Sequence, residues 1–111
     1  MKHTIVVPRR IKIGPFSYDI KLVRGLRYYN GASGHITFEG GTVELDDVVR
    51  EPMKSCHFLH EMVHAIDINA SVGLDEDGVD RMANGFAELL QQLGIKLDYS
   101  ALPCGRSHGG N

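Results

Sequence analysis

The chain carries two cysteines in 111 residues, too few for the disulfide framework that holds small secreted domains together. Cys56 stands inside a histidine-rich segment and Cys104 near the end of the chain, a usage that suits a reducing cytoplasm. Long apolar runs are missing as well. None approaches the ~20 residues of a membrane-spanning helix, so no membrane role is expected. The first ten residues, Met1 to Arg10, hold a short apolar patch broken by Pro8, Arg9 and Arg10, and lack the apolar core of a signal peptide. A cytoplasmic location is therefore expected. Charge of one sign is scarce: 12 Lys and Arg face 14 Asp and Glu, for a net charge of −2. That balance gives no electrostatic reason to expect nucleic acid as a partner. What remains is a globular composition, 42% hydrophobic and 23% charged, on a chain long enough for one modest core. We expect a single domain over residues 1–102 and a flexible tail over 103–111.

Strand material runs from Arg10 to Leu22, where Ile11, Ile13, Phe16, Tyr18 and Ile20 have polar neighbours and Gly14-Pro15 marks a bend. Residues 25–34 read as a loop. From Gly34 the pattern is a hairpin: His35 to Glu39 alternates, Gly40-Gly41 is a turn signal, and Thr42 to Leu45 alternates again. A helix is predicted from about Glu51 to Ala70, with Pro52 in its first turn and Ser71-Val72-Gly73 closing it. A second helix follows Asp75-Glu76-Asp77 and stops at Gly94, with Val79, Met82, Ala83, Phe86, Leu89, Leu90 and Leu93 as its apolar stripe. Ile95 to Tyr99 adds a short extended piece. Strands followed by two helices argue for an α+β domain, with a small N-terminal antiparallel sheet preceding the helices.

The chemistry lies in the first helix. His60-Glu61-Met62-Val63-His64 is an HExxH motif, which puts two imidazoles one turn apart on one helical face. Such a pair can share one Zn²⁺ at roughly 2.0–2.1 Å from each nitrogen. Glu61 lies about 100° around the helix from His60, beside the metal, where a general base can take a proton from a zinc-activated water. Phe58, Leu59, Met62, Val63, Ile66 and Ala70 form the predicted core stripe, while Met53, Cys56, His57, His60, His64, Asp67 and Ser71 fall on the other side.

A catalytic zinc takes three protein ligands and one open position. The third ligand is expected from the second helix. Asp80 leads, sharing its face with Asn84, Ala87 and Gln91; Glu76 and Asp77, one turn earlier, compete but also suit the helix N-terminus as dipole-compensating carboxylates. His57 and Asn84 are candidates for lining the cleft or bonding a ligand. Asp67 can orient His64, bridge the helices, or cap locally. Cys104 and His108 could reach back to the open position of the metal.

Phe58 to Asp67, followed by Val79 to Phe86, resembles the small HExxH proteins of phages and mobile elements. These are similar in turn to ImmA/IrrE-type peptidases and to minimal gluzincins. The resemblance covers about residues 34–93. It implies a zincin-like fold and a zinc metalloendopeptidase acting on polypeptide. In gluzincins the second helix carries a Glu-x-x-Ala-(Asn/Asp) signature whose Glu is the third ligand. Asp80-Arg81-Met82-Ala83-Asn84 aligns with it, with Asp in place of Glu. Asp is one methylene shorter, so the helices would have to approach by ~1 Å more or the site would rearrange. The resemblance also implies that the strand of His35, Ile36, Thr37 and Phe38 holds substrate along its free edge. Tyr28, Tyr29, Tyr99 and His35 are candidates for stabilising an oxyanion. Two rival readings stand beside the peptidase: a zinc-stabilised module that binds a protein partner without cleaving it, and a metal-free interaction domain.

Overall fold

Among the described residues one helix packs on a mixed sheet, and a second helix packs on the first. The structure, a computed structural model, describes residues 2–26, 34–37 and 40–105. Tyr28, Tyr29, Phe38, Glu39 and His108, with most of the expected loop, lie outside the described residues.

Among the described residues the strands are β1 (His3–Val6), β2 (Arg10–Ile13), β3 (Phe16–Val23), β4 (Gly34–Thr37), β5 (Thr42–Asp46), β6 (Ile95–Asp98) and β7 (Cys104–Gly105); the helices are α1 (Met53–Ala70) and α2 (Glu76–Gln92). The main sheet has the order β2-β3-β5-β4, and β7 adds to β3. β2 and β3 form the expected antiparallel pair about the Gly14 bend, and β4 and β5 form the expected hairpin. Thr37 pairs with Thr42 at the end of the ladder.

The sheet is not wholly antiparallel, which corrects the expectation. β3 runs parallel to β5, with Ile20 opposite Val43 and Leu22 opposite Leu45. Parallel neighbours need a crossover, and the β4 segment supplies it. A second, two-stranded parallel sheet joins β1 to β6, tying the N-terminal residues to the segment after α2. β1 has no counterpart in the sequence reading, because all four of its residues are exposed and carry no core periodicity. Residues 103–105, expected in a flexible tail, instead belong to the sheet: Leu22 N–H donates to the Pro103 carbonyl at 2.8 Å, and Cys104 pairs with Leu22.

Tyr18, Ile20 and Leu22 alternate inward along β3, as period-2 patterning requires, and meet Val43 and Leu45 from β5 and Phe58, Met62 and Ala65 from α1. Tyr99 and Leu102 complete this core. A smaller cluster of Val63, Val79 and Ala83, with Leu59 and Leu74 against it, glues α1 to α2. The core face of α1 is therefore rotated from the expected one. Ala65 is fully buried while Ile66 is 47% exposed, because two partners share the helix: the sheet takes the Phe58-Met62-Ala65 row and α2 takes Leu59 and Val63. The α2 stripe is likewise only half covered. Val79 and Ala83 are buried, whereas Met82, Phe86, Leu89 and Leu93 are exposed. Among the described residues no helix is long and apolar enough to cross a membrane.

Candidate metal centre

α1 ends where its sequence says it should. Ser71 takes the left-handed conformation (φ 53°, ψ 44°), Val72 N–H donates to the Asp67 carbonyl, and Gly73 follows at φ 84°, a conformation that favours glycine. Asp75 then caps α2, its side chain accepting the Gly78 N–H at 2.7 Å. The chain has turned back within five residues. The first turn of α2 now lies beside the part of α1 that carries His60 and His64, and Glu76 is its first helical residue.

That placement sets the site. The Glu76 carboxylate reaches both motif histidines, with Oε1 2.7 Å from His60 Nε2 and Oε2 3.3 Å from His64 Nε2. The two imidazoles stand edge to face, with centroids 4.9 Å apart. One nitrogen from each histidine and one oxygen of Glu76 lie within 4.8 Å of one another, so this group could hold a metal ion. Ligand atoms on one tetrahedral zinc sit roughly 3.3 Å apart, as bonds of ~2.0–2.1 Å require. The His60 and His64 contacts, at 2.7 and 3.3 Å, are made by different oxygens of Glu76, and both are near that spacing. The donor set, two imidazoles and one carboxylate, suits zinc.

The carboxylate of this group stands one turn earlier than the motif alignment expects. Asp80, the leading sequence candidate, is not in the group; its Oδ1 lies 3.7 Å from His60 Nδ1, on the far side of the ring from Glu76. A carboxylate at the other nitrogen of a ligating histidine is a common supporting arrangement, and this contact is longer than a hydrogen bond. Asp77, the other competitor, pairs with Arg81 at 3.0 Å along its own helix.

Glu61 is 6% exposed, although its two histidine neighbours in the motif are only half-buried. Burial pushes its carboxyl up to about 7, opposed by the nearby His60 and reinforced by Glu76. Its carboxylate packs on the backbone of β4: a Cβ built on Gly34 would lie 2.8 Å from Glu61 Oε2. β4 is the last strand in the sheet order, so the strand beside the motif is an edge strand among the described residues.

The other sequence candidates disperse. Asp67 turns away from His64 into the inter-helix link, where its Oδ1 accepts N–H bonds from Gly73 and Leu74. His57 is half-buried and outside the metal group. Asn84 is exposed and, with Ser55, Cys56, Ala87 and Gln91, lines a cleft of ≈ 690 Å³ between the helices and β6. Tyr99 is buried against Phe58, its hydroxyl 2.8 Å from the Ser55 hydroxyl, which commits it to the core. His35 lies on exposed β4 opposite Glu44, with Ile36 half-buried and Thr37 exposed beside it. Cys104 is exposed on β7 and outside the metal group. Gly34 was legible only as a hairpin residue. Its close approach to Glu61 has no signature in a single sequence.

Comparison with known protein families, with curated proteins and with solved structures finds no match to this chain, so the functional reading rests on the motif and on the geometry around it.

Proposed function

We propose that the protein is a zinc-dependent metallopeptidase of a minimal, zincin-like kind, with His60, His64 and Glu76 as metal ligands and Glu61 as general base. The observation that carries this reading is the convergence of the Glu76 carboxylate on both HExxH imidazoles, with a buried Glu61 beside them. When bound, zinc would act as a Lewis acid, polarising a peptide carbonyl and acidifying a water.

The chain's own residues supply the rest. His60, His64 and Glu76 would hold the ion through two imidazole nitrogens and a carboxylate. Glu61 accepts the proton of the attacking water at its carboxylate and passes it to the departing amine. The burial of Glu61 beside the two histidines places a proton acceptor next to the position where the water would be activated. The outer edge of β4 can hold an extended polypeptide by main-chain hydrogen bonds, which would set a scissile bond beside Glu61.

The alternative is a zinc-stabilised module that binds a protein partner without cleaving it. A buried, unused carboxylate at position 61 is costly in such a protein and favours the peptidase. Incubating zinc-loaded protein with an unfolded substrate such as casein, and mapping new termini by mass spectrometry, tests the two. Cleavage by the wild type that is lost in Glu61→Gln supports the peptidase; zinc binding without cleavage supports the binding module.

A further inference from the structure

Three of the hydrogen bonds that close the link between the helices converge on one residue. Asp67 lies one turn after His64 on α1. Its carbonyl accepts the Val72 N–H at 3.2 Å, and one oxygen of its carboxylate, Oδ1, accepts the N–H groups of Gly73 at 2.8 Å and of Leu74 at 3.1 Å. The residue that follows Leu74 is the cap of α2, and the next is Glu76. Just before Glu76 the chain is thus gripped by a side chain that grows from the same helix as the histidines.

We propose that Asp67 is a positioning residue for the metal centre: by holding Gly73 and Leu74 it fixes the axial level of α2, so that Glu76 and not a residue one turn away meets His60 and His64. This rests on the metal reading of that group.

The physical case is one of leverage. Glu76 is 72% exposed at its side chain, so packing does little to hold it. The apolar contact between the helices, Val63 with Val79 and Ala83, lies on one side of α2 and would tolerate a slide along the helix axis. A helix rises 1.5 Å per residue, so a slip of one residue in the link displaces the carboxylate by more than a metal–ligand bond can stretch. The two bonds at Asp67 are what oppose such a slip. Satisfied backbone donors also keep the link from opening to water, which would cost the same order as the bonds themselves.

The experiment measures zinc affinity by competition with a chromophoric chelator, together with amide hydrogen exchange of the metal-free protein, in Asp67→Ala, Asp67→Asn and Glu76→Ala, and in the Asp67→Ala/Glu76→Ala double variant. Ile20→Val, a destabilising change in the other core, is the control. Asp67→Ala is expected to lose protection at Gly73 and Leu74 and to weaken zinc by about 10–100-fold, the range for residues that orient ligands. Asp67→Asn keeps an acceptor oxygen without the charge and should restore affinity to within about threefold of wild type. In the Glu76→Ala background, Asp67→Ala should weaken zinc no further, because the effect passes through Glu76. Wild-type zinc affinity in Asp67→Ala overturns the proposal. So does an Asn variant as weak as the Ala variant, which would assign the effect to charge, and so does a full additional loss in the double variant or an equal loss in Ile20→Val. Failure of the wild type to bind zinc would instead end the metal reading, and the proposal with it.

Discussion

Gly34 and Glu61 are in direct opposition: a Cβ on the first residue of the edge strand would stand 2.8 Å from Oε2 of the buried motif carboxylate. The strand backbone therefore forms one wall of the pocket that holds the proposed general base. Because the atom met is the end of a flexible side chain, Gly34→Ala should displace the carboxylate more than it disturbs the fold. We expect zinc content to stay at the wild-type level while peptide hydrolysis falls at least tenfold. Wild-type turnover in Gly34→Ala would show that the wall does not position Glu61.

Glu61→Gln removes the base and no metal ligand. Zinc should be retained, and cleavage of an unfolded protein should fall by at least ~10², the lower figure typical of general-base catalysis. Undiminished cleavage by this variant would mean that another group takes the proton.

Burial of Glu61 also has a consequence for stability without metal. Its folded-state carboxyl is raised from 4.5 to about 7 by desolvation, so the folded protein binds a proton that the unfolded chain has released. A raised pKa contributes stability that is fully present below pH 4.5 and is lost as pH rises through about 7. In metal-free protein, urea unfolding should accordingly show wild type losing ground to Glu61→Gln between those pH values. A pH-independent difference between the two would place the carboxylate in contact with water.

How much of this could be seen in the sequence depends on the range of the interaction. The bounds of both helices were legible because their signals are local: Pro52 before α1, Ser71 and Gly73 after it, Asp75 capping α2. The β1–β6 and β3–β5 pairings were not, since parallel partners distant in the chain leave no mark on either strand alone. The third ligand shows the same limit more finely. Glu76 and Asp80 are four residues apart and so lie only about 40° apart around the helix, but about 6 Å apart along it. A helical wheel selects the face and is blind to the axial level. That level follows from the short link held by Asp67.

Tyr99, a sequence candidate for oxyanion stabilisation, belongs to the core, where it touches Phe58 and shares a hydrogen bond with Ser55. Tyr99→Phe leaves Ser55 its bond to Glu51, so the expected cost is one hydrogen bond, about 1 kcal/mol of unfolding free energy, with hydrolysis unchanged. A large loss of kcat with wild-type stability would return Tyr99 to the active site.

The central claim is that Glu76 completes the metal centre, and zinc stoichiometry in two purified variants tests it most directly. Glu76→Ala should lose stoichiometric zinc, as His60→Ala and His64→Ala should, together with the stabilisation by zinc that chelation removes from wild type. Asp80→Ala should keep one zinc per chain, with affinity lowered by at most about tenfold through the lost support of His60. Retention of zinc by Glu76→Ala together with its loss from Asp80→Ala would contradict the account, moving the ligand one turn along α2 to the position that the motif alignment predicts.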